Sequence, residues 1–442
     1  MSELTIETPE VVALPEAAAT LAGPLAPYDA VLVLSYGGPE GPDDVLPFMR
    51  NATAGRGVPD SRLMEVSTHY QRFGGVSPIN ARNAELLAAL RAELARRGCH
   101  LPVVIGNRNW RPFVSQALRE LADAGARRVL ALTTAAYGSY SGCRQYREDV
   151  AGAIARIEAG TDGATGDEEA DAAARVGGAG GAPLEGVLSV DKARPYYNTP
   201  GMLQANVEAI LAAYGRLADQ GVDAQGVRLV LVTHSIPVSM EAGSAGSAGS
   251  AGQGAADPGM AGEPEPGVSA DLSTEISYAA QHEALARVLV PEVARRLGLE
   301  SLGHDLVYCS RSGPPQARWL EPDINDHLEA LAEQDCPGVV VAPIGFICDH
   351  MEVVFDLDTE AAQTAEELGL PYARAATAGT HPAFIASLVD ILAERAATAR
   401  GEIVRPESTT GVGPFHTVCP PSCCLPGARP TTRTQPHPQE QS

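Results

Sequence analysis

The sequence predicts an α/β protein built on parallel sheets, and three observations predict it. Short β-branched runs alternate with longer stretches of helical periodicity along the whole chain. Polar residues able to do chemistry fall at the ends of those runs, where parallel sheets place their sites. The 442 residues are 45% apolar and 20% charged, the composition of a soluble globular protein large enough for two domains.

Taken in order, the first strand is predicted over 31–36, where an apolar run ends in Tyr36 before Gly37-Gly38-Pro39. A helix follows over 80–97, with leucines recurring at three- and four-residue spacing. The Val-Val-Ile run predicts a strand over 103–107, and then a helix over 114–124. A strand over 128–134 completes this half. The second half repeats the rhythm. A helix is predicted over 202–219, a strand over 228–234, a helix over 276–297, strands over 305–310 and 339–346, and a last helix over 381–399.

Two low-complexity segments interrupt the pattern. Residues 157–185 are rich in Gly, Ala and acids, and 241–268 carry a Gly-Ser-Ala repeat of linker composition. Both are expected to be flexible inserts, because they hold too little apolar surface to offset the entropy of ordering. With the acidic residues 1–27, expected to be a disordered extension, they carry most of the net charge of −23. The body is therefore only mildly acidic, which argues against a nucleic-acid partner. No apolar run reaches 18 residues, so no membrane span is expected. Residues 1–27 lack the basic and apolar regions of a secretory signal and the arginines of a transit peptide, and a cytoplasmic location is expected.

The strand run 338–346 leads into Asp349-His-Met-Glu-Val-Val354, and Glu352, Asp356 and Glu360 then recur every four residues. On a helix that spacing stacks three carboxylates on one face. Like charges so placed repel, so an ordinary surface helix gains nothing from the row. A path guiding a hard divalent cation does gain, because oxygen ligands suit such ions. Leu231-Val-Thr-His-Ser-Ile-Pro237 puts His234 at the mouth of another strand, where an imidazole works near neutral pH as base or ligand. His234 and Glu352, each just past a strand, are expected to meet across a cleft.

Five segments in order, Val31-Leu-Val-Leu-Ser-Tyr-Gly-Gly-Pro39, Phe73-Gly-Gly-Val-Ser-Pro78, Thr233-His-Ser-Ile-Pro237, Trp319-Leu-Glu-Pro-Asp323 and Gly345-Phe-Ile-Cys-Asp-His-Met-Glu-Val-Val-Phe-Asp356, resemble the motifs of ferrochelatases. The resemblance runs over about residues 28 to 400. The tyrosine of the first motif and the cysteine-bearing tail make it most similar to the actinobacterial coproporphyrin III ferrochelatases. It implies two Rossmann-like, chelatase-type domains over 28–190 and 191–400, with a porphyrin cleft between them and the final helix 381–399 packed on the first domain. Residues 401–442 would form a tail. It also implies the reaction, in which Fe²⁺, as substrate ion, replaces two pyrrole protons of coproporphyrin III in haem synthesis. The alternatives are a protoporphyrin IX ferrochelatase and a non-catalytic porphyrin- or haem-binding protein on the same fold.

The resemblance also places the site. His234 would accept pyrrole protons or bind iron, Glu352 would hold the metal or complete a His–Glu pair, and Asp356 and Glu360 would continue the cation path. Tyr36 would face the ring centre. Arg56, His69, Tyr70, Ser77 and Tyr146 would contact the porphyrin, with His69 standing where relatives often have Arg and Asn109 where some have His. Handover of the product to the enzyme that next processes coprohaem is implied too. In the tail, Cys419-Pro-Pro-Ser-Cys-Cys424 gathers three thiols, a soft-metal signal. With Cys143, Cys419, Cys423 and Cys424 resemble the ligand set of the 2Fe-2S cluster in some ferrochelatases. A zinc site and a tail of free thiols are the alternatives.

Overall fold

The computed structural model describes residues 21–161, 188–244, 276–312, 317–421 and 423–426. In chain order the elements of the first half are β1 (Ala30–Ser35), α1 (Val45–Ala52), α2 (Asp60–Gln71), α3 (Ile79–Arg96), β2 (Val103–Asn107), α4 (Val114–Asp123), β3 (Arg128–Thr133), α5 (Gln145–Ala159) and β4 (Ser189–Lys192). The second half holds α6 (Pro200–Asp219), β5 (Arg228–His234), α7 (Val238–Ser244), α8 (Tyr278–Leu297), β6 (His304–Cys309), α9 (Ile324–Glu333), β7 (Val339–Ala342), α10 (Ala362–Glu367), β8 (Tyr372–Arg374) and α11 (Pro382–Ala399). Short 3₁₀ turns lie at Gly23–Leu25 and Pro42–Asp44, and π-helical segments at Tyr140–Arg144 and Val353–Ala361.

The strands form two parallel four-stranded sheets with the same order, β2-β1-β3-β4 and β6-β5-β7-β8. All six residues of β1 are buried, as are the middle five of β5, because helices cover both faces of each sheet. In each sheet the chain leaves the first strand toward one neighbour and returns on the other side. That reversal opens a crevice at the carboxyl ends of β1 and β3, and another at those of β5 and β7. The residues after these four strands line one cavity, described below.

The halves are fastened by α11. Arg97, at the end of α3, donates to the Ala386 carbonyl at 3.0 Å and pairs with Asp390. Arg194 forms a buried, two-pronged ion pair with Glu394. Gly201, in the first turn of α6, lies so close to α11 that a Cβ would stand 1.9 Å from the Ala383 carbonyl oxygen. The expected packing of the last helix on the first half is present, through α3.

Several boundaries differ from the sequence reading. The run 339–346 is a strand only to Ala342, after which Gly345 packs its backbone against Thr233 and the chain turns. The edge strands β4 and β8 were not foreseen, since four and three residues are too few to show a period. Because β4 pairs with β3, a boundary between 190 and 191 falls inside a strand of the first sheet. Residues 21–27 are not a loose extension: Leu25 and Ala22 are buried in the main core. The rest of the predicted extension, 1–20, lies outside the described residues, as do most of the two predicted inserts and residues 427–442 of the tail.

Both inserts start later than predicted. Residues 157–159 finish α5, which stops at Gly160 with φ 67°. Residues 241–244 finish α7 and cap α8: the Glu241 carboxylate accepts from Ala279 N at 3.1 Å, and Ser244 Oγ accepts from Tyr278 N at 2.8 Å. Ser244 and Tyr278 thus stand side by side, and a short Gly-Ser bridge can join them. Removing 245–275 is expected to leave metal insertion near the wild-type rate, because loop closure depends only weakly on length. Extending the deletion to 241 is expected to lower stability through loss of the cap, read as a shift in thermal midpoint. A dead enzyme after the shorter deletion would give that segment an active role.

Candidate active site

A cavity of about 300 Å³ lies where the carboxyl ends of both sheets face each other. The first half contributes Tyr36 after β1, Arg108 after β2 and the stretch 134–146 after β3. The second half contributes His234 at the end of β5 and the turn 345–352 after β7. Close backbone approaches fix these walls. A Cβ on Gly38 would stand 2.5 Å from the Ser77 Cβ, and one on Gly345 would stand 2.1 Å from the Thr233 hydroxyl. The second contact ties the turn bearing Glu352 to the strand bearing His234.

The two predicted residues do meet. His234 Nε2 is 3.3 Å from Glu352 Oε1, and His234 Nδ1 donates to the Ser235 carbonyl. Both ring nitrogens face acceptors, the pattern of an imidazolium. Burial works against that charge, but the Glu352 carboxylate outweighs it and raises the His234 pKa to about 9. Burial likewise opposes the Glu352 charge, and His234 with His350 holds its pKa at about 2. At neutral pH the two therefore stand as an ion pair. His350 differs: its Nδ1 accepts from Glu352 N at 3.2 Å, and burial lowers its pKa. Glu352 thus lies between His234, whose pKa is raised, and His350, whose pKa is lowered. The loop is pinned from behind by Asp349, which accepts from Arg374 at 3.2 Å and Thr377 at 3.1 Å.

The carboxylate row continues on the π-helix Val353–Ala361 rather than on an α-helix. Such wider turns occur often at functional sites. The four-residue spacing still aligns the row, because Glu352 and Glu360 both act on Asp356. Burial, with those two neighbours, lifts the Asp356 pKa to about 7, while a hydrogen bond from Ser310 opposes the rise. Ser310 follows β6 with φ 64°, a conformation that costs a non-glycine residue and aims its hydroxyl at Asp356. Burial and the neighbouring Asp323 raise Glu360 as well.

Tyr36, Arg56, Tyr70, Ser77 and Tyr146 all line the cavity. Tyr36 is 40% exposed, with its ring edge-on to Phe48. Tyr70 is pushed up by burial, and Tyr36, Glu352 and Asp356 add to the shift, so these four groups share one field. His69 does not line the cavity. Its ring stacks on Phe355 of the π-helix at 4.0 Å. Asn109 is buried and is not in the cavity wall.

Sequence reasoning missed Arg108. It lines the cavity, lies 3.8 Å over the Tyr146 ring and is paired with Asp149 at 2.5 Å. Its position directly after β2 was the available signal. The same rule picked out Tyr36 and His234.

A ferrochelatase family model matches residues 28–396. The chain belongs to the ferrochelatase family. This ferrochelatase is 46% identical over 400 residues to the coproporphyrin III ferrochelatase of Streptomyces griseus, covering 90% of this chain and 94% of that one. The coproporphyrin III ferrochelatase of Streptomyces coelicolor is 45% identical over 399 residues, with the same two coverages. The ferrochelatase of Rhodopirellula baltica is 38% identical over 405 residues, covering 91% and 94%. Ferrous iron is therefore a substrate ion of this enzyme, and a porphyrin its other substrate. No helix among the described residues is long and apolar enough to cross a membrane.

The tail of this ferrochelatase is built onto the body. Asn198 Nδ2 donates to Ser408, Thr410 and Gly413, and Phe415 packs against Gly138 beside the cavity wall. Arg144 donates to the carbonyls of Pro421 and Cys423. Among the four singled-out cysteines, Cys423 Sγ lies 3.6 Å from Cys424 Sγ, and Cys419 and Cys424 act electrostatically on Cys143. Hydrogen bonds from Cys419 and Cys424, together with Lys192, hold the Cys143 thiol well below its usual range. Among the described residues no group of three or more His, Cys, Asp or Glu is placed so that it could hold a metal ion. Cys99, Cys309 and Cys348 are buried as small hydrophobes.

Proposed function

We propose that this enzyme inserts ferrous iron into coproporphyrin III, giving coprohaem on the way to haem. The observation that carries the reading is the His234–Glu352 ion pair, set in the wall of a cleft between the two sheets and fed by Asp356 and Glu360. The relatives with 46% and 45% identity that carry the coproporphyrin name support the choice of porphyrin.

The pair explains how cation arrival and proton removal are linked. A porphyrin releases two pyrrole protons as the metal enters, and only a neutral imidazole accepts one. In the resting site Glu352 keeps His234 protonated. A cation reaching Glu352 cancels the charge that holds that proton. Burial, no longer opposed, then favours the neutral ring. As the metal arrives the proton passes to solvent, which the part-exposed His234 side chain reaches, and His234 Nε2 is left as a base for one pyrrole proton. Asp356 suits the step before. With a pKa near neutrality it takes a cation in exchange for a proton. Tyr36 would meet the ring face, and Arg56, Tyr70, Ser77 and Tyr146 would meet the propionates, where an arginine fork suits a carboxylate. The two halves, 28–192 and 193–400, act as the jaws. Cytoplasmic location and handover to a coprohaem-processing enzyme complete the reading. Anaerobic addition of Fe²⁺ and coproporphyrin III tests it: catalytic loss of porphyrin fluorescence is expected, and none would refute the reading.

We read Cys143, Cys419, Cys423 and Cys424 as ligands of a 2Fe-2S cluster. The reading rests on the donor chemistry, four cysteines of which Cys423 Sγ and Cys424 Sγ lie 3.6 Å apart, and thiolates are the ligands such clusters take. When bound, a cluster of this kind supplies one-electron redox chemistry. The chain's own part is to tie the tail to Cys143, next to Gly142 in the wall of the cavity. Cys419→Ser is expected to bleach the visible absorption of protein purified without oxygen. A parent protein without visible bands but with bound zinc would replace the cluster by a zinc site.

A further inference from the structure

We infer that Tyr278 is a positioning residue for the His234–Glu352 pair, its hydroxyl standing in for the strand neighbour that β7 withdraws from the end of β5. The inference rests on the reading of that pair given above.

Successive residues of a strand bond to opposite neighbours in a parallel sheet. The Val232 carbonyl accepts from Gly345 N at 3.1 Å on the β7 side, and Ser235 N donates to the Cys309 carbonyl at 2.8 Å on the β6 side. His234 therefore turns its carbonyl to the same side as Val232. There β7 has already ended, at Ala342, and the chain bends away to build the turn that carries Glu352. The last residue of β5 thus loses its ladder partner at the place where the chemistry sits. A carbonyl so placed needs another donor.

Tyr278, the first residue of α8, supplies it. Its hydroxyl donates to the His234 carbonyl at 3.3 Å and lies 2.6 Å from the Thr233 hydroxyl. A phenol has one proton, so with that proton on the carbonyl it accepts from Thr233. Thr233 is also where the turn closes on the strand, since a Cβ on Gly345 would stand 2.1 Å from the same threonine oxygen. One phenol therefore braces both arms of the pair, the strand bearing His234 directly and the turn bearing Glu352 through Thr233. The turn has a second brace of the same kind. The Ile344 carbonyl, also beyond the end of β7, accepts from the Tyr137 hydroxyl of the first half at 3.0 Å. The two tyrosine rings meet edge to face, 6.1 Å apart. Tyr278 is buried and its N–H is bonded to Ser244 Oγ, so the phenol is held at both ends.

The consequence is a loss confined to the chemical step. Tyr278→Phe keeps the ring and its packing and removes only the oxygen. The strand end and the turn then lose their common anchor, and His234 Nε2 and Glu352 Oε1 are no longer held at 3.3 Å. The residues assigned to the porphyrin are untouched. A misplacement of about 1 Å costs about 10² in rate, so a loosened strand end is expected to cost about tenfold in kcat with the porphyrin KM unchanged.

The test is a cycle of anaerobic Fe²⁺ insertion into coproporphyrin III by wild type, Tyr278→Phe, Glu352→Gln and the double variant, with kcat and porphyrin KM measured for each. In the wild-type background Tyr278→Phe is expected to lower kcat about tenfold. In the Glu352→Gln background, where the pair is already broken, it is expected to change kcat by less than about twofold, a coupling that a merely structural residue would not show. Equal losses in both backgrounds, a change in KM rather than kcat, or wild-type kcat in Tyr278→Phe overturns the inference while the pair keeps its role. Should Tyr278→Phe not fold, Thr233→Val takes its place in the same cycle, and the same pattern is expected because the phenol then loses its 2.6 Å partner. No insertion by the wild type, or wild-type turnover in Glu352→Gln, would overturn the reading of the pair and this inference with it.

Discussion

His234→Ala is expected to abolish metal insertion while leaving porphyrin binding intact. His234 is the only group in the pair able to take a pyrrole proton once a cation occupies Glu352, and losing a positioned base costs about 10² to 10⁴ in rate. The substitution should not unfold the protein. The side chain is 29% exposed at a strand end, and Leu229–Val232, which anchor that strand in the core, are untouched. Porphyrin binding, followed by fluorescence in the absence of metal, should match wild type, because Tyr36, Arg56, Tyr70, Ser77 and Tyr146 remain. Wild-type turnover in this variant would remove His234 from the chemistry.

The second large effect belongs to Glu352→Gln, which keeps shape and removes charge. Two results are expected together. Insertion falls by about 10² to 10³, the usual cost of removing one preorganised electrostatic group. The His234 pKa, about 9 in the wild type, falls, because burial is then opposed only by the Ser235 carbonyl and Asp356. NMR of histidine-labelled protein reads the second directly, and a value still near 9 would mean that Glu352 is not its source. The signs also fix the pH dependence of stability. His234 is raised from 6.5 to about 9, so its contribution is complete below 6.5 and is lost as pH rises through about 9. Glu352 is lowered from 4.5 to about 2, so its contribution is present above 4.5 and is lost as pH falls through about 2.

Much of this site is legible in the amino-acid sequence because parallel sheets place their chemistry at strand ends. His234 and Tyr36 follow from that rule, and Ser310 falls where it predicts. Glu352, Asp356 and Glu360 are legible from spacing alone, and the spacing survives a change from α- to π-helix because residues four apart stay aligned in both. Arg108 is equally accessible to the strand-end rule, one residue past a correctly bounded strand. His69 was misplaced because adjacency to Tyr70 in sequence does not put two helical side chains on one face: Tyr70 turns to the cavity and His69 to Phe355. The edge strands β4 and β8 give no period to read. The packing of residues 21–27 is hidden by the acidic stretch before them, although Leu25 is as buried as any core residue. Convergence of Cys143 with the tail is readable only through the family resemblance. Its physical cause, the anchoring of the tail by Asn198, Phe415 and Arg144, involves contacts more than 200 residues apart in sequence.

The most direct test of the central claim is anaerobic Fe²⁺ insertion by the wild-type enzyme, with coproporphyrin III and protoporphyrin IX compared side by side by loss of fluorescence. The account predicts rapid insertion into coproporphyrin III and a much lower kcat/KM for protoporphyrin IX, because four propionates make more contacts with the polar lining of the cleft than two. Equal or better use of protoporphyrin IX would contradict the assignment of substrate, and tight binding of both without insertion would contradict the role given to His234 and Glu352.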